Sequence, residues 1–569
     1  MNGLNGGRAA ALEALRTQAF DVLVVGGGVV GTGVARDLAL RGVRVALVEQ
    51  HDLASGTSSR PTRLVHGGLR YLEILDFGLV REALREREIL LRVAPHLVFP
   101  LPFLLPQYGR SMAYRAKLLA GMQLYDLLSF DKSLPSRKWL SREETLAAEP
   151  ALNGDGLQGA WRYYDAQLPL VERLVVESAL DAAAHGATVL THARVERFLR
   201  DDGDGASGAS GAGGEAGNGG GTVTGAVVRD TLSGEEAAVR AALTVNASGP
   251  WLDMTDRELR PARPPLLRLT KGVHLVVPSG TRNALAVFAQ SDGRLFFLVP
   301  WMGYTLVGTT DTDYRGDPAS AAADEEDVRY LQAEARRAFP GAPFETVHYA
   351  YAGVRALVRV EGVKEGKVSR KHKVLDHALR DGVGGIVSVV GGKITAYRGI
   401  AEEVGDLAIK KLGWGGTGLT ERRPFPGGAL GASGTLDAFI EGDLWPRARA
   451  VGLDRQQAEH LGRTYGALGH EVLDLAERDA ALRERLAPDG PGIAAEAVRA
   501  VEREWSATLA DFLLRRSCIG LRADQALPHV ERIAEMMGRV CGWDAARREE
   551  EVARYRDEIA PMRRFSTAS

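Results

Sequence analysis

The residues best suited to chemistry in this chain sit at glycine turns. The first turn is Gly26-x-Gly28-x-x-Gly31. An apolar run, Asp21 to Val25 (DVLVV), leads into it, and Val29 to Leu40 follows with helical spacing. A second apolar run, Val43 to Val48, then ends on Glu49, 18 residues after Gly31. Strand, glycine turn, helix and strand within about 30 residues read as a parallel βαβ unit built for a dinucleotide. Gly26 permits the tight turn, Gly28 lets a pyrophosphate approach the backbone, and Gly31 lets the helix pack against the strand. The helix N-terminus offers unpaired N–H groups and partial positive charge to the phosphates. Glu49 can accept hydrogen bonds from an adenosine ribose, and a carboxylate there disfavours NADP.

Two further turns bear on which dinucleotide. Ile386 to Val390 (IVSVV) ends in Gly391-Gly392-Lys393, with Thr395 at a new helix start. Asn246 to Trp251 (NASGPW) is a third strand-to-turn passage, centred on Gly249, expected beside the adenine half. A ligand gripped by both ends of a long chain fits FAD, whose flavin half needs its own anchorage. The stretch Thr57 to Tyr71 (TSSRPTRLVHGGLRY) adds hydroxyls at Thr57, Ser58 and Ser59 for a pyrophosphate or ribityl chain. Gly67 and Gly68 allow a flat ring to approach the backbone, and His66 is a candidate flavin contact.

The elements that must position these residues follow from periodicity. Helices are expected over Phe77 to Val93 and Leu170 to His185, with the charges of the first forming a solvated face. Strands are expected at 188–190, 195–199, 223–229 and 238–246, with a strand-rich region from 266 to 386 interrupted by one helix, 324–339. Asp201 to Gly221 holds 10 glycines and almost nothing apolar, so it reads as a flexible insertion between strands. Met1 to Arg16 reads as a mobile lead-in. After a Gly/Pro-rich linker, Thr435 to Met562 is helical in pattern.

Composition limits the partners. The 569 residues carry 71 Lys and Arg against 73 Asp and Glu, a formal charge of −2, which excludes a chain dominated by nucleic-acid backbone binding. Two cysteines, Cys518 and Cys541, are too few for a disulfide framework. No residue set has metal-ligand spacing, so no metal is expected. No apolar run reaches spanning length, and no secretory leader is evident.

An ordered set of motifs then resembles one family. Gly26–Gly31, TSS with HGGLRYLE (His66 to Glu73), LVREALREREILLRVAPHL (Leu79 to Leu97), KGVH (Lys271 to His274), GTTDTDY (Gly308 to Tyr314), AGVR (Ala352 to Arg355) and GGKITAYR (Gly391 to Arg398) resemble aerobic, FAD-dependent glycerol-3-phosphate dehydrogenase. The resemblance is strong from Phe20 to Leu412 and continues through ADFLLRRSCIGL (Ala510 to Leu521). It departs at Pro61, Thr62 and Arg63, where a serine-rich, lysine-containing stretch is expected.

The resemblance implies a glycine-oxidase-like α/β fold: a Rossmann-like FAD-binding domain, an interleaved strand-rich α+β substrate domain and a C-terminal all-α domain. Residues 18–95, 165–255 and 381–414 fall to the FAD domain, with 201–221 an insertion. Residues 96–164 and 256–380 fall to the substrate domain, and 415–569 to the linker and helical domain. The implied reaction is oxidation of glycerol 3-phosphate to dihydroxyacetone phosphate, with electrons passing to membrane quinone. Arg70, Tyr71 and Arg370 correspond to phosphate contacts, and His274, Arg355 and Lys393 to the catalytic end. Arg suits a phosphate dianion because its planar fork matches the oxygens bidentately. Removing the hydroxyl proton needs a base, and His274 has the nearest ordinary pKa, with Lys393 and His66 as alternatives. The location implied is cytoplasmic, held peripherally at the inner face of the cell membrane. Leu97 to Phe130 mixes Phe99, Phe103, Leu104, Leu105, Leu118 and Leu119 with Arg110, Arg115 and Lys117, which suits either a lipid interface or a wall of the substrate domain. The helical domain is available for homodimer contacts. Three other readings stay open: an oxidase that reduces O2 to peroxide, a glycine-oxidase-type enzyme on another substrate, and a non-catalytic flavoprotein.

Overall fold

The apolar run ahead of the first glycine turn becomes the centre of a parallel sheet. The computed structural model describes residues 4–68, 71, 76–109, 112–201, 221–259, 263–360 and 371–567. In it, Ala19–Val25 is a strand buried from Phe20 onward, as a strand covered on both faces must be. It pairs in parallel with Val45–Val48 on one side and Glu236–Asn246 on the other. Thr188–Leu190 continues the sheet beyond the first neighbour and Ile386–Val390 beyond the second, with Lys373–Asp376 as an antiparallel edge. An antiparallel meander, Ala193–Asp201 and Thr222–Asp230, runs into the first half of Glu236–Asn246 and completes eight strands among the described residues. Strand order reverses at Ala19–Val25, which opens a crevice at the carboxyl ends of the strands. Helices Val29–Leu40, Val171–Ala184 and Tyr397–Leu412 pack together against this sheet around Val24, Leu38, Val175 and Ile400.

The second sheet has ten strands among the described residues and is mostly antiparallel. Leu267–Pro278 lies between Tyr349–Val358 and Tyr304–Gly308. The register sets Thr270 opposite Arg355, Gly272 opposite Gly353, and His274 opposite Tyr351. Side chains alternate across a strand, so His274 and Arg355 emerge on one face with Gly272 and Gly353 between them. Beyond residue 415 the chain is helical, ending in Ala545–Arg563.

Several expectations change here. The N-terminal lead-in is a helix, Leu4–Thr17, because Leu12 and Leu15 are buried and Arg8 pairs with Asp230 at 2.7 Å. The charges of Phe77–Val93 are not all solvated: Glu86 meets Arg398 at 2.6 Å and Arg87 meets Asp165 at 2.6 Å, all four buried. The proline-bearing stretch Phe99–Tyr108 is a strand of the second sheet with Phe103, Leu104 and Leu105 buried, so this part of the suspected lipid segment is a domain wall. A helix, Met112–Leu128, follows it. Leu64–Val65 and the end of Leu157–Gln167 pair in the second sheet, and Lys373–Asp376 in the first, so the chain crosses between sheets inside the domain ranges expected from the sequence. These crossing strands are short, two to four residues at the pairing, and so leave little periodicity to mark the change of sheet. Among residues 201–221, only Asp201 and Gly221 are described.

Candidate active site

One cleft, enclosing about 340 Å³, joins the crevice of the first sheet to the face of the second. At one end it is lined by Gly26, Gly28, Glu49, Arg194 and Gly249, and at the other by His66, Tyr71, His274, Arg355, Gly392 and Lys393.

At the first end the glycine cradle is tight. A Cβ on Gly31 would lie 1.9 Å from the Gly26 carbonyl oxygen, and one on Gly26 would lie 2.6 Å from that of Ala247. Glu49 accepts hydrogen bonds from the backbone N–H of Gly27 (2.6 Å) and His51 (2.9 Å). Burial pushes its carboxyl pKa up, and those two N–H groups oppose the rise. Ser58 accepts a hydrogen bond from the Val29 N–H at the helix start, 3.0 Å. Thr57 donates to the Val354 carbonyl at 2.6 Å and so ties this loop to the second sheet. Ser59 donates to Gly56 within its own turn at 3.2 Å and does not line the cleft. The cradle, the helix N-terminus and the Glu49 carboxylate together fit a dinucleotide, and the same cleft continues to His66, His274 and Lys393.

At the far end, Lys393 Nζ donates to the His66 carbonyl and stands 5.4 Å from the centre of the Tyr71 ring. Thr395 accepts a hydrogen bond from the His66 N–H at 3.2 Å, and so holds that loop from behind. Gly67 and Gly68 lie behind the lining, and the Gly67 N–H donates to the Tyr125 hydroxyl at 3.0 Å. Arg70 and Arg370 lie outside the described residues.

His274 is buried, with Nε2 2.8 Å from Thr62 Oγ1 and its ring stacked on Tyr351 at 5.0 Å. Burial, then the charges of Arg355 and Arg63, push its pKa down to about 3, so the imidazole is neutral. Arg355 donates to Thr309 Oγ1 at 2.9 Å, and to the Thr310 carbonyl and Asp311 Oδ1 at 3.3 and 3.2 Å. Neighbouring glycines leave room for both groups: a Cβ on Gly272 would lie 2.1 Å from the Arg355 guanidinium, and one on Gly308 would lie 2.4 Å from the His274 ring. The GTTDTDY motif therefore serves to hold Arg355. Thr62 and Thr309 to Asp311 were not foreseen as site residues. At the departure from the family pattern, Arg63 is buried in a fork with Glu172 (2.9 Å to each oxygen) and lies 4.6 Å over the Trp301 ring.

Comparison with known proteins decides the family. Residues 21–398 match the family described as FAD dependent oxidoreductase, and residues 419–548 match the C-terminal domain of alpha-glycerophosphate oxidase. The chain belongs to the FAD-dependent glycerol-3-phosphate dehydrogenase family. It is 36% identical over 562 residues to a glycerol-3-phosphate dehydrogenase of Synechocystis, covering 95% of this chain and 97% of that one. It is 38% identical over 564 residues to that of Mycobacterium leprae, covering 97% and 90%. The crystal structure of the Bacillus halodurans glycerol-3-phosphate dehydrogenase complexed with FAD superposes with a TM-score of 0.78 at 28% identity, covering 98% of this chain and 97% of that one. The cofactor of this family member is FAD. Gly26, Gly28, Glu49 and Ser58 would hold its adenosine and pyrophosphate, and the lining from His66 to Lys393 its flavin half.

Proposed function

We propose that the chain oxidises sn-glycerol 3-phosphate to dihydroxyacetone phosphate. The observation that carries this reading is the meeting of His274, Arg355, Lys393 and Tyr71 at the end of the cleft away from Glu49. Bound FAD supplies the hydride acceptor. The chain's own residues supply the rest. Neutral His274 accepts the proton of the C2 hydroxyl. Its pKa is low without substrate, but a phosphate dianion bound nearby favours the imidazolium and so raises its basicity. Arg355, aimed by Thr309 and Asp311, and Lys393 stabilise the developing alkoxide. Arg70, Tyr71 and Arg370 take the phosphate, as the family resemblance implies. Relatives named as glycerol-3-phosphate dehydrogenases over nearly the full length support this substrate.

Electrons then leave for a quinone dissolved in the membrane, with the chain docked peripherally. No helix among the described residues is long and apolar enough to cross a bilayer. Leu119 and Leu127, on the Met112–Leu128 helix, and Phe130 just after it are exposed, as is Lys117 on the same helix. Flotation with anionic vesicles tests the docking, and failure to float overturns it. The enzymatic reading is tested by adding glycerol 3-phosphate anaerobically to the purified holoprotein. The flavin absorbance bleaches if the reading holds, and a flavin that stays oxidised refutes it. Peroxide formed at the turnover rate, with no stimulation by quinone, would assign an oxidase instead.

A further inference from the structure

The two strand ends that wall the adenosine end of the cleft are held together by backbone bonds. Glu49 N–H donates to the Leu190 carbonyl at 3.0 Å, and Ala193 N–H returns to the Glu49 carbonyl at 2.6 Å. His192 N–H donates to the His51 carbonyl at 2.5 Å. Both walls are also gripped from outside by one short segment of the C-terminal helical domain, the π-helical turn Asp511–Arg516. Asp52, fully buried, accepts from Arg515 Nε (2.6 Å) and from Arg516 Nη1 (2.9 Å) and Nη2 (2.6 Å). On the neighbouring strand end, Asp511 Oδ2 lies 2.9 Å from His192 Nε2, and Asp511 Oδ1 accepts from Arg515 at 3.0 Å. The turn is rooted in its own domain by Arg515 to Glu558 (2.9 Å) and Arg516 Nε to the Glu504 carbonyl (2.9 Å).

We propose that the Asp511–Arg516 turn positions the adenosine-binding loop, so that FAD affinity is coupled to docking of the helical domain. Asp52 is three residues from Glu49, and the His51 N–H that aims the Glu49 carboxylate adjoins it directly. A shift of Asp52 therefore moves an anchor of the ribose-facing group. Apolar packing alone would dock the two domains at lower desolvation cost than this cluster of buried charges. Its concentration on these two neighbouring strand ends is explained by a need to hold the loop after Glu49 in one position. Coupling of this kind is reciprocal: bound FAD also stabilises the docked helical domain.

The inference rests on FAD being the cofactor, and its test separates the two. Full-length holoprotein is diluted and FAD release followed by flavin fluorescence, for wild type, Asp52→Asn, Asp511→Asn and Arg516→Lys. The flavin-stripped full-length chains are then titrated with FAD and with FMN, which lacks the adenosine half. The expected result is FAD affinity weakened about tenfold, within the span usual for coupled sites, with FMN affinity unchanged. Should Asp52→Asn not accumulate folded, Arg516→Lys, which keeps the charge but loses the fork, gives the same comparison. FAD retention equal to wild type in the folded variants overturns the inference, as does equal loss of FAD and FMN. A wild-type protein that binds no flavin overturns the cofactor reading instead.

Discussion

Replacing Thr62 by Val removes a hydroxyl from the centre of the site and keeps the side-chain shape. Thr62 Oγ1, 2.8 Å from Nε2, makes the hydrogen bond to the His274 ring, whose Nδ1 is buried with no partner among the described residues. In the variant both ring nitrogens are buried without a protein partner. Leaving a buried polar group unmet costs about 1–3 kcal/mol. If that loss falls on the transition state, where the ring must point at the substrate hydroxyl, it slows flavin reduction about 5- to 150-fold, since each 1.36 kcal/mol is tenfold. The assay is anaerobic stopped-flow reduction of the bound flavin by glycerol 3-phosphate. Thr62→Ser, which keeps the hydroxyl, is expected to recover most of the rate. A Thr62→Val rate within twofold of wild type, with flavin content unchanged, refutes the claim that Thr62 orients His274.

Gly31→Ala places a methyl 1.9 Å from the Gly26 carbonyl oxygen and is expected to yield protein without bound flavin, measured by the absorbance ratio of the purified sample. With the His274 pKa held down to about 3, kcat/KM for glycerol, which has no group titrating near neutrality, should show no limb near pH 6.5; a limb there that disappears in His274→Ala contradicts this. Burial raises the Glu504 carboxyl pKa, but Arg173, then Arg499 and Arg516, pull it down further, to about 2 from an ordinary 4.5. Its ionised form therefore contributes about 3 kcal/mol above pH ~4.5, lost as pH falls toward about 2. Glu504→Gln should cost about that much in denaturant titrations at neutral pH, with the gap to wild type narrowing in acid. Arg370→Ala should raise KM for glycerol 3-phosphate far more than for glycerol, and equal effects would remove Arg370 from the phosphate.

The nucleotide half of the site was legible because its determinants are local. Gly26, Gly28, Gly31 and Glu49 all fall within one βαβ unit, and a Cβ at Gly31 is excluded by an oxygen five residues away. The far end is built from contacts that no local pattern records. Thr62 and His274 are separated by 212 positions, and only the register of Leu267–Pro278 with Tyr349–Val358 brings His274 and Arg355 to one face. Motif order could name His274, Arg355 and Lys393 but not the Thr309–Asp311 cradle. Charge was the least legible feature. Glu86 and Arg87 read as part of a solvated face because such residues usually are, and nothing singled out Asp52 or Arg516, whereas here each is buried against a partner supplied from a distant segment.

The central strand, Ala19–Val25, has one flank that the ribosome delivers promptly, Val45–Val48, and another that it delivers very late, Glu236–Asn246, itself flanked by Ile386–Val390. During synthesis one edge of that apolar strand waits, unpaired, for some two hundred further residues, and the far edge of Glu236–Asn246 then waits about 140 more for Ile386–Val390. At elongation rates of about 5–20 residues per second, this leaves a sticky template exposed for tens of seconds. A chaperone that covers this edge until its partner strand is made is therefore expected to raise the soluble yield.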